Sequence, residues 1–549
     1  MKTPMWSQQL PGIFGGHSGM WPLGLEPVGG FLVGTLMPGL NNTVKHIRYY
    51  GFYSWAHWEY EQWREGLGLP YRKSDQSRRL ERLEAALRAA SLHADPEMNG
   101  VVGVSNYLEL PDDPDEPFAL GESSAPTGFT PAQYSASWRN LQCGEIGRGG
   151  RVRLTDELGV PLARAFRSRL ERKSRDDLRR LLSDEPTVPA GVIHRLSEGL
   201  RLRTVPYDDD EHGLLTEMLF RLEDRGSTDP WSGSHRSRRR SLGLILQLLR
   251  QGDGFSTAGD LHHVWATGRH PGGQALPPGP AYTNQFLLWQ RYQERQCQKV
   301  GFYGVLYVVT NHLRRNRGYA STESILEDVH LLAKHSDTAK EWFGGSWLEE
   351  PLASIRESVR QRLEARGADA DLALPELWEE VRDPAREAER LGAALVLLMV
   401  TTATWERRRE TLTERQARWH RDRDFSRIPL DFFCEELTRH DTMAAEHWIA
   451  RFVERFILSQ AVLVAIGKRD GDGNLRLFLA PDQDGFRIVK EPGENLYFDP
   501  PRIRNALDLL EGLDYVRRTE DHGVQITELG ASLLERLLNR PEKPGGPIR

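Results

Sequence analysis

The stretch YVRRTEDHGVQITELGASLLERLL, residues 515–538, carries the pattern on which the interpretation of this chain depends. Residues 515–518 alternate between apolar and polar side chains, as a strand does, and residues 524–527 do so again after a turn. Leucines then recur at helical spacing through residues 528–538, and a further helical pattern precedes the first strand at 501–513. The sequence therefore predicts a helix, two strands joined by a tight turn, and a second helix.

The same order of elements occurs a second time, near the other end of the chain. Residues 153–159, RLTDELG, are similar to residues 525–530, QITELG, and they follow a Gly-rich turn at 147–150. This order resembles the winged helix-turn-helix superfamily. The resemblance implies a recognition helix at 501–513, before the first strand, and a wing at the turn near His522.

Arginine residues cluster around the implied recognition helix and wing, and a basic run precedes an apolar helix near residue 240. We predict that these side chains contact DNA phosphates. The predicted DNA-binding residues are Arg502, Arg504, Arg517 and Arg518 at the C-terminal end and Arg238, Arg239 and Arg240 in the basic run. Solvated helices with salt bridges are the alternative explanation. Because the chain has 72 basic and 78 acidic residues, contact with a polyanion must be local.

A dense band of aromatic and basic residues occupies positions 36–63, LMPGLNNTVKHIRYYGFYSWAHWEYEQW. Aromatic faces beside arginine and lysine can stack bases, and Tyr49, Trp55 and Trp58 are the candidates for contacts with a partner. The same residues also suit a helix that is buried against the next helix along the chain. We favour the core interpretation and keep the partner surface as its alternative.

The aromatic band also carries a second resemblance. Residues 36–55, LMPGLNNTVKHIRYYGFYSW, and residues 100–106, GVVGVSN, resemble large bacterial proteins that are often linked with phage defence. The resemblance implies that other subunits of a defence complex are partners. It implies no catalytic residues.

Residues that could support catalysis are present, but they lack the spacing of a known site. His440 and His447 do not form a zinc-binding motif. Asp484 and Lys490 resemble part of a metal-dependent nuclease site, yet Ile488 occupies the position of the second carboxylate. We therefore predict no catalytic residue, no metal and no cofactor, and expect that the protein is not an enzyme. A metal-dependent nuclease assembled from scattered residues remains the alternative.

The length of 549 residues is too great for one hydrophobic core. We predict a mainly α, multidomain fold with winged-helix-like α+β modules near both ends of a helical middle. The predicted segments are an extended arm or cap (1–43), an aromatic helix with a winged-helix-like domain (44–170), a helical domain (171–280), a helical domain with a long charged helix (281–440), a C-terminal winged-helix-like domain (441–540) and a tail (541–549).

Three features predict a cytoplasmic location without membrane contact. The three cysteines form no CxxC pair, which fits a reducing compartment. The first ten residues, MKTPMWSQQL, lack the apolar stretch of a signal peptide. The longest uncharged apolar run, Leu391 to Trp405, has 15 residues, and a membrane span needs about 20. We interpret this run as a buried helix.

Together these patterns predict a DNA-binding or scaffold component of a bacterial anti-phage defence or DNA-transaction complex. DNA would be bound by local basic patches, and other subunits of the complex would be protein partners. A metal-dependent nuclease and a scaffold that binds only protein are the alternatives.

Overall fold

The computed structural model describes residues 22–25, 32–41, 43–104, 108–120, 136–147, 151–171, 175–222, 232–252, 254–255, 258–410, 428–467, 477–489, 502–520 and 523–539. The helices include α1 (Arg48–Gly66), α2 (Lys73–Ala94), α3 (Ala136–Asn140), α4 (Gly159–Glu171), α5 (Arg175–Leu182), α6 (Ala190–Leu200), α7 (Asp210–Phe220), α8 (Ser232–Gln251), α9 (Ala258–Thr267), α10 (Thr283–Arg315), α11 (Thr322–His335), α12 (Asp337–Phe343), α13 (Leu352–Arg366), α14 (Ala373–Arg382), α15 (Glu387–Arg409), α16 (Leu430–Arg439), α17 (Ala445–Phe452), α18 (Gln460–Gly467), α19 (Ile503–Glu511) and α20 (Glu528–Leu538).

Short strands accompany these helices. They are β1 (Pro117–Ala119), β2 (Gly144–Ile146), β3 (Val152–Leu154), β4 (Thr187–Pro189), β5 (Tyr319–Ser321), β6 (Leu479–Asp482), β7 (Gly485–Ile488), β8 (Val516–Arg518) and β9 (Val524–Ile526). β1 pairs with β4, β2 with β3 and β8 with β9, and a three-stranded sheet has the order β5-β7-β6. All of these pairings are antiparallel. The structure is 65% helix and 8% strand, so the predicted mainly α class is confirmed.

Two compact units divide the chain. The central unit comprises Met1–Leu32, Leu261–Ala275 and Leu287–Pro501, and the terminal unit comprises Val33–Asp260, Leu276–Phe286 and Arg502–Arg549. These bounds differ from the predicted segments. Residues near both ends of the chain belong to one unit, whereas the sequence pattern indicated separate N-terminal and C-terminal domains.

Helix α1 lies in the core of the terminal unit and packs against α4. The ring of Trp55 stacks on Phe166 with 5.4 Å between the ring centroids. The fully buried Arg48 forms an ion pair with Glu211 of α7 at 3.2 Å, and it also donates to the carbonyl oxygen of Gly199 at 2.6 Å. A buried cation needs such partners, because its transfer out of water is otherwise very unfavourable.

The C-terminal residues complete this unit. Asn505 on α19 donates a hydrogen bond to the carbonyl oxygen of Val44 at 2.7 Å. A ring nitrogen of His212 on α7 lies 2.9 Å from the carbonyl oxygen of Leu513. Both contacts join residues that are several hundred positions apart in sequence. The last helices are therefore part of the same fold as α1 and α7.

Two modules in the terminal unit share the order of helix, hairpin and helix. The N-terminal module consists of α3, β2, β3 and α4, and the C-terminal module consists of α19, β8, β9 and α20. In each, the threonine after the second strand caps the next helix: Thr155 Oγ1 accepts from the N–H of Gly159 at 3.0 Å, and Thr527 Oγ1 accepts from the N–H of Gly530 at 3.0 Å. The predicted order of elements at the C-terminus is thus confirmed.

The entry to each hairpin also has the same geometry. The hydroxyl of Thr155 donates to the carbonyl oxygen of Gln142, and that of Thr527 donates to the carbonyl oxygen of Asp514, both at 2.6 Å. Gln142 and Asp514 each stand two residues before the first strand, with φ of 63° and 56°. A residue in the left-handed conformation turns the chain sharply, and the threonine hydroxyl donates a hydrogen bond to the carbonyl oxygen of that residue. The two modules are therefore one structural pattern used twice.

Helices α10 and α15 form the core of the central unit. A Cβ atom on Gly301 would lie 2.7 Å from Cγ of Leu398, and one on Gly304 would lie 2.8 Å from Cβ of Ala394. These small residues let the two helices approach closely. The apolar run from Leu391 to Trp405 lies in α15, so its interpretation as a buried helix is confirmed. Within the described ranges, no helix is long and apolar enough to cross a membrane.

Candidate nucleic-acid interface

The aromatic band forms a buried helix rather than a surface. Tyr49 and Trp55 are fully buried, and the Tyr49 hydroxyl accepts a hydrogen bond from the N–H of Val102 at 2.8 Å. Trp58 is half-buried, with the guanidinium carbon of Arg167 4.8 Å from its ring centroid. The core interpretation is confirmed. The alternative of a partner surface is wrong for Tyr49 and Trp55, because no partner could reach their rings.

The basic run contains a buried arginine. Arg238 is fully buried and donates to the carbonyl oxygens of Leu219, Pro38 and Met218 at 2.8, 2.8 and 2.9 Å. Burial lowers the pKa of its guanidinium to about 9. The prediction that Arg238 binds DNA is therefore corrected. It stabilises the C-terminal end of α7, where backbone carbonyls lack helical partners and a cation is favoured.

Its neighbours are only partly buried. Arg239 donates to the carbonyl oxygen of Arg221 at 2.9 Å, just after α7, and keeps part of its side chain in solvent. Arg240 is also half-buried. The first arginine of the run, Arg236, is half-buried as well and lies one helical turn before Arg239 and Arg240 on α8.

The four predicted arginines of the C-terminal module differ in their surroundings. Arg502 donates to the carbonyl oxygen of Leu40 at 2.5 Å and is half-buried. Arg518 forms ion pairs with carboxylates of α19, and these neutralise much of its charge. Arg504 and Arg517 are exposed. No ion pair holds either of these two side chains in the part of the chain that the structure describes, so they are the members of the set that are available to a phosphate.

A larger concentration of arginine lines a cleft of about 1040 Å³ within the terminal unit. Side chains of α4, α7, α8 and α20 form its walls, together with the segment before α7. The arginines that line it are Arg164, Arg221, Arg236, Arg239 and Arg536. We call this feature the arginine cleft. It lies between the helix that follows the N-terminal hairpin and the helix that follows the C-terminal hairpin.

Three of the five cleft arginines are available for a ligand. Arg221 donates to the side-chain oxygen of Gln142, and Arg239 is held by the carbonyls after α7. By contrast, the described residues offer no hydrogen bond or ion pair to the guanidinium of Arg164, Arg236 or Arg536. Each of these three belongs to a different helix. They therefore present three separate positive charges to one concave surface.

Acidic residues also line the arginine cleft. Asp209 caps α7 by accepting from the N–H of Glu211 at 2.8 Å, and it pairs with Arg169 at 3.1 Å. Glu217 accepts from the N–H of Leu222 at 2.7 Å, just past the C-terminal end of α7. The other acids of the lining are Glu157, Asp208 and Asp210, and all three are exposed. The lining of the cleft therefore carries both positively and negatively charged side chains.

An aromatic ladder forms one side of the arginine cleft. Tyr207 is 65% exposed, and its ring meets the edge of His212 with 5.4 Å between centroids and an interplanar angle of 73°. His212 in turn packs edge-on against Tyr515 at 5.5 Å. The ladder supports Tyr207 from the protein side and leaves much of its ring open to the cleft.

Among the described residues, those considered for a nuclease do not form a metal site. Asp484 lies in the turn between β6 and β7 and accepts from the hydroxyl of Tyr319. Ile488 ends β7, and Lys490 lies outside the described residues. His440 hydrogen-bonds Glu436 at 3.2 Å. His447 is exposed, with Glu446 at 3.9 Å. In the ranges that the structure describes, no three His, Cys, Asp or Glu side chains form a group able to hold a metal ion.

Comparison of the chain with protein-family models, with curated proteins and with solved structures found no match. The candidate site is therefore assigned by geometry. Sequence reasoning predicted a basic run at Arg238, Arg239 and Arg240 but did not identify Arg164, Tyr207, Arg236 or Arg536 as site residues. Arg164 and Arg536 share one feature that the sequence could have shown: each stands nine positions after the capping threonine of its module.

Proposed function

We propose that this chain binds nucleic acid in the arginine cleft, as a DNA-binding component of a bacterial defence or DNA-transaction complex in the cytoplasm. The observation that carries the proposal is the convergence of Arg164, Arg236 and Arg536, from three helices, on one cleft beside the exposed Tyr207. The link with phage defence comes from the resemblance of residues 36–55 and 100–106 to defence-linked proteins.

Arginine suits phosphate because its planar guanidinium donates two parallel hydrogen bonds to phosphate oxygens. A concave wall also excludes part of the water, and this strengthens each charged contact. Glu157, Asp208 and Asp210 offset the positive charge when the cleft is empty. Affinity should therefore be moderate and sensitive to salt, as local phosphate contacts predict.

The C-terminal module offers a second contact to the same nucleic acid. Its order of elements resembles that of winged helix-turn-helix proteins, in which the helix before the hairpin enters the major groove. Arg504 on α19 and Arg517 on β8 are exposed and could meet phosphates there. The proposal is that these two arginines add affinity, and that the arginine cleft is the principal site.

Fluorescence anisotropy with labelled 30-nucleotide single strands and duplexes tests this function on the full chain. We expect the triple variant Arg164→Gln/Arg236→Gln/Arg536→Gln to lose affinity by roughly tenfold per arginine removed. The matched control is Arg180→Gln/Arg317→Gln/Arg362→Gln, which removes three exposed arginines outside the cleft. Equal affinity of both triple variants, or no binding by the wild type at low salt, would contradict the proposal.

The same experiment separates the rival functions. A scaffold that binds only protein would show no salt-sensitive binding to either probe. A nuclease would shorten the probes when Mg²⁺ or Mn²⁺ is added, and the cleavage would persist through repurification. We expect intact probes in both metals.

A further inference from the structure

The dimensions of the arginine cleft bear on which form of nucleic acid enters it. A volume of 1040 Å³ equals that of a cube about 10 Å on a side. This volume is typical of a pocket for a small organic ligand. The side of the cube, about 10 Å, is shorter than the width of the major groove alone, which is about 12 Å. The cleft therefore accommodates a few unpaired nucleotides but not the full width of a duplex.

We infer that the arginine cleft takes a single-stranded segment of nucleic acid and stacks one of its bases on Tyr207. This inference rests on the proposed function and names the form of nucleic acid bound at the same site. Stacking on an aromatic ring together with arginine contacts to the backbone is the usual way in which proteins bind single strands without reading their sequence.

Tyr207 is held in position for this role. Its ring packs against that of His212 in an edge-to-face arrangement, with 5.4 Å between the centroids, and a ring nitrogen of His212 lies 2.9 Å from the carbonyl oxygen of Leu513. Because His212 is itself buried, the support under Tyr207 is fixed before a ligand arrives. A large aromatic side chain that is 65% exposed loses favourable burial, and a stacked base would restore it.

The mixed charge of the lining supports the same conclusion. Arg164, Arg236 and Arg536 can bind phosphates, but the five arginines of the lining are matched by five carboxylates, so charge alone does not favour a polyanion. A simple polyphosphate gains nothing from Tyr207 or from the acids. A nucleotide strand has an anionic backbone for the arginines and flat bases for Tyr207, so it gains from both.

The test compares a labelled 16-nucleotide single strand with the matching duplex, using the wild-type full chain, two Tyr207 variants and the two triple variants described above. Tyr207→Ala should weaken single-strand binding by roughly 5- to 150-fold, the range for loss of one base stack. Tyr207→Phe keeps the ring and should bind like the wild type. The control variant Arg180→Gln/Arg317→Gln/Arg362→Gln should leave single-strand binding nearly unchanged. Inorganic polyphosphate of equal charge should compete poorly for the labelled strand.

The outcomes distinguish this inference from the proposed function. One outcome would overturn only the single-strand inference. In it, the wild type and Tyr207→Ala bind single strand and duplex equally well, and the triple cleft variant binds neither probe. The cleft would then bind nucleic acid without selecting a single strand. If neither probe binds the wild type, the proposed function itself fails. A loss shared equally by Tyr207→Ala and Tyr207→Phe would also overturn the stacking, since the ring would then not be the group that matters.

Discussion

At the scale of single residues, burial decides which side chains are structural. Arg238 was predicted to contact DNA, yet it is fully buried and donates to backbone carbonyls. Arg48 of the aromatic band is also fully buried and pairs with Glu211. Composition cannot reveal this, because the carbonyls that receive Arg238 belong to α7 and to Pro38, outside its own helix. The aromatic band was predicted correctly, since its rings recur at helical spacing and large aromatic residues favour burial.

Removing one of these rings should destabilise the terminal unit. Trp55 is fully buried against Phe166, so Trp55→Ala should lower the free energy of unfolding by about 3–5 kcal/mol. Trp58→Ala is the matched control, because Trp58 is only half-buried and should cost clearly less. Urea unfolding followed by circular dichroism measures both, and equal losses would show that burial of Trp55 has been misjudged.

Two histidines, the buried His57 and the half-buried His262, should make the fold sensitive to acid. Burial lowers the pKa of His57 to about 3 and that of His262 to about 4, whereas an unfolded imidazole titrates near 6.5. The unfolded chain therefore binds protons first. The stability contributed by the neutral histidines is complete above pH 6.5 and is lost as the pH falls toward 4 and 3.

Urea unfolding at pH 7, 6, 5 and 4 measures this effect. The free energy of unfolding of the wild type should decline across the series. For each protein the decline is measured from its own value at pH 7, and it should be shallower for His57→Gln than for the wild type. Parallel curves for wild type and variant would mean that His57 is not held neutral by the fold.

At the scale of elements, local signals made the modules predictable. The alternation at 515–518 and 524–527, the intervening turn and the capping threonine are all encoded within a few residues, so α19, β8, β9 and α20 were found from sequence. The bounds of the compact units were not found. They depend on contacts such as Asn505 with Val44, which join residues too distant in sequence for any periodic pattern to record.

The glycine that follows each capping threonine should resist substitution. A Cβ atom on Gly530 would overlap the carbonyl oxygen of Tyr515, and one on Gly159 would overlap that of Cys143. Gly530→Ala and Gly159→Ala should each cost about 1–3 kcal/mol, since the hairpin must move away from the helix. Gly213→Ala is the control: it has open space and should be neutral or stabilising by up to about 1 kcal/mol. Thermal unfolding that ranks all three alike would contradict the close packing.

At the scale of the whole molecule, the arginine cleft is the feature that no stretch of sequence could show. Arg164, Arg236 and Arg536 come from helices that begin at residues 159, 232 and 528, and the cleft exists only because the C-terminal module packs into the unit that residues 33–260 begin. The sequence predicted contact with DNA through local basic patches. It pointed to the hairpin arginines, whereas Arg502 and Arg518 are largely occupied by partners within the fold.

The central claim is that the arginine cleft contacts phosphates, and the salt dependence of single-strand affinity tests it most directly. Each phosphate contact with a single strand contributes about 0.7 to the slope of log affinity against log salt. Affinity is measured between about 50 and 200 mM salt. The slope of log affinity against log salt should be steeper for the wild type than for Arg164→Gln/Arg236→Gln/Arg536→Gln by about 2. The variant Arg180→Gln/Arg317→Gln/Arg362→Gln should keep the slope of the wild type. Equal slopes for the wild type and the cleft variant would contradict the account.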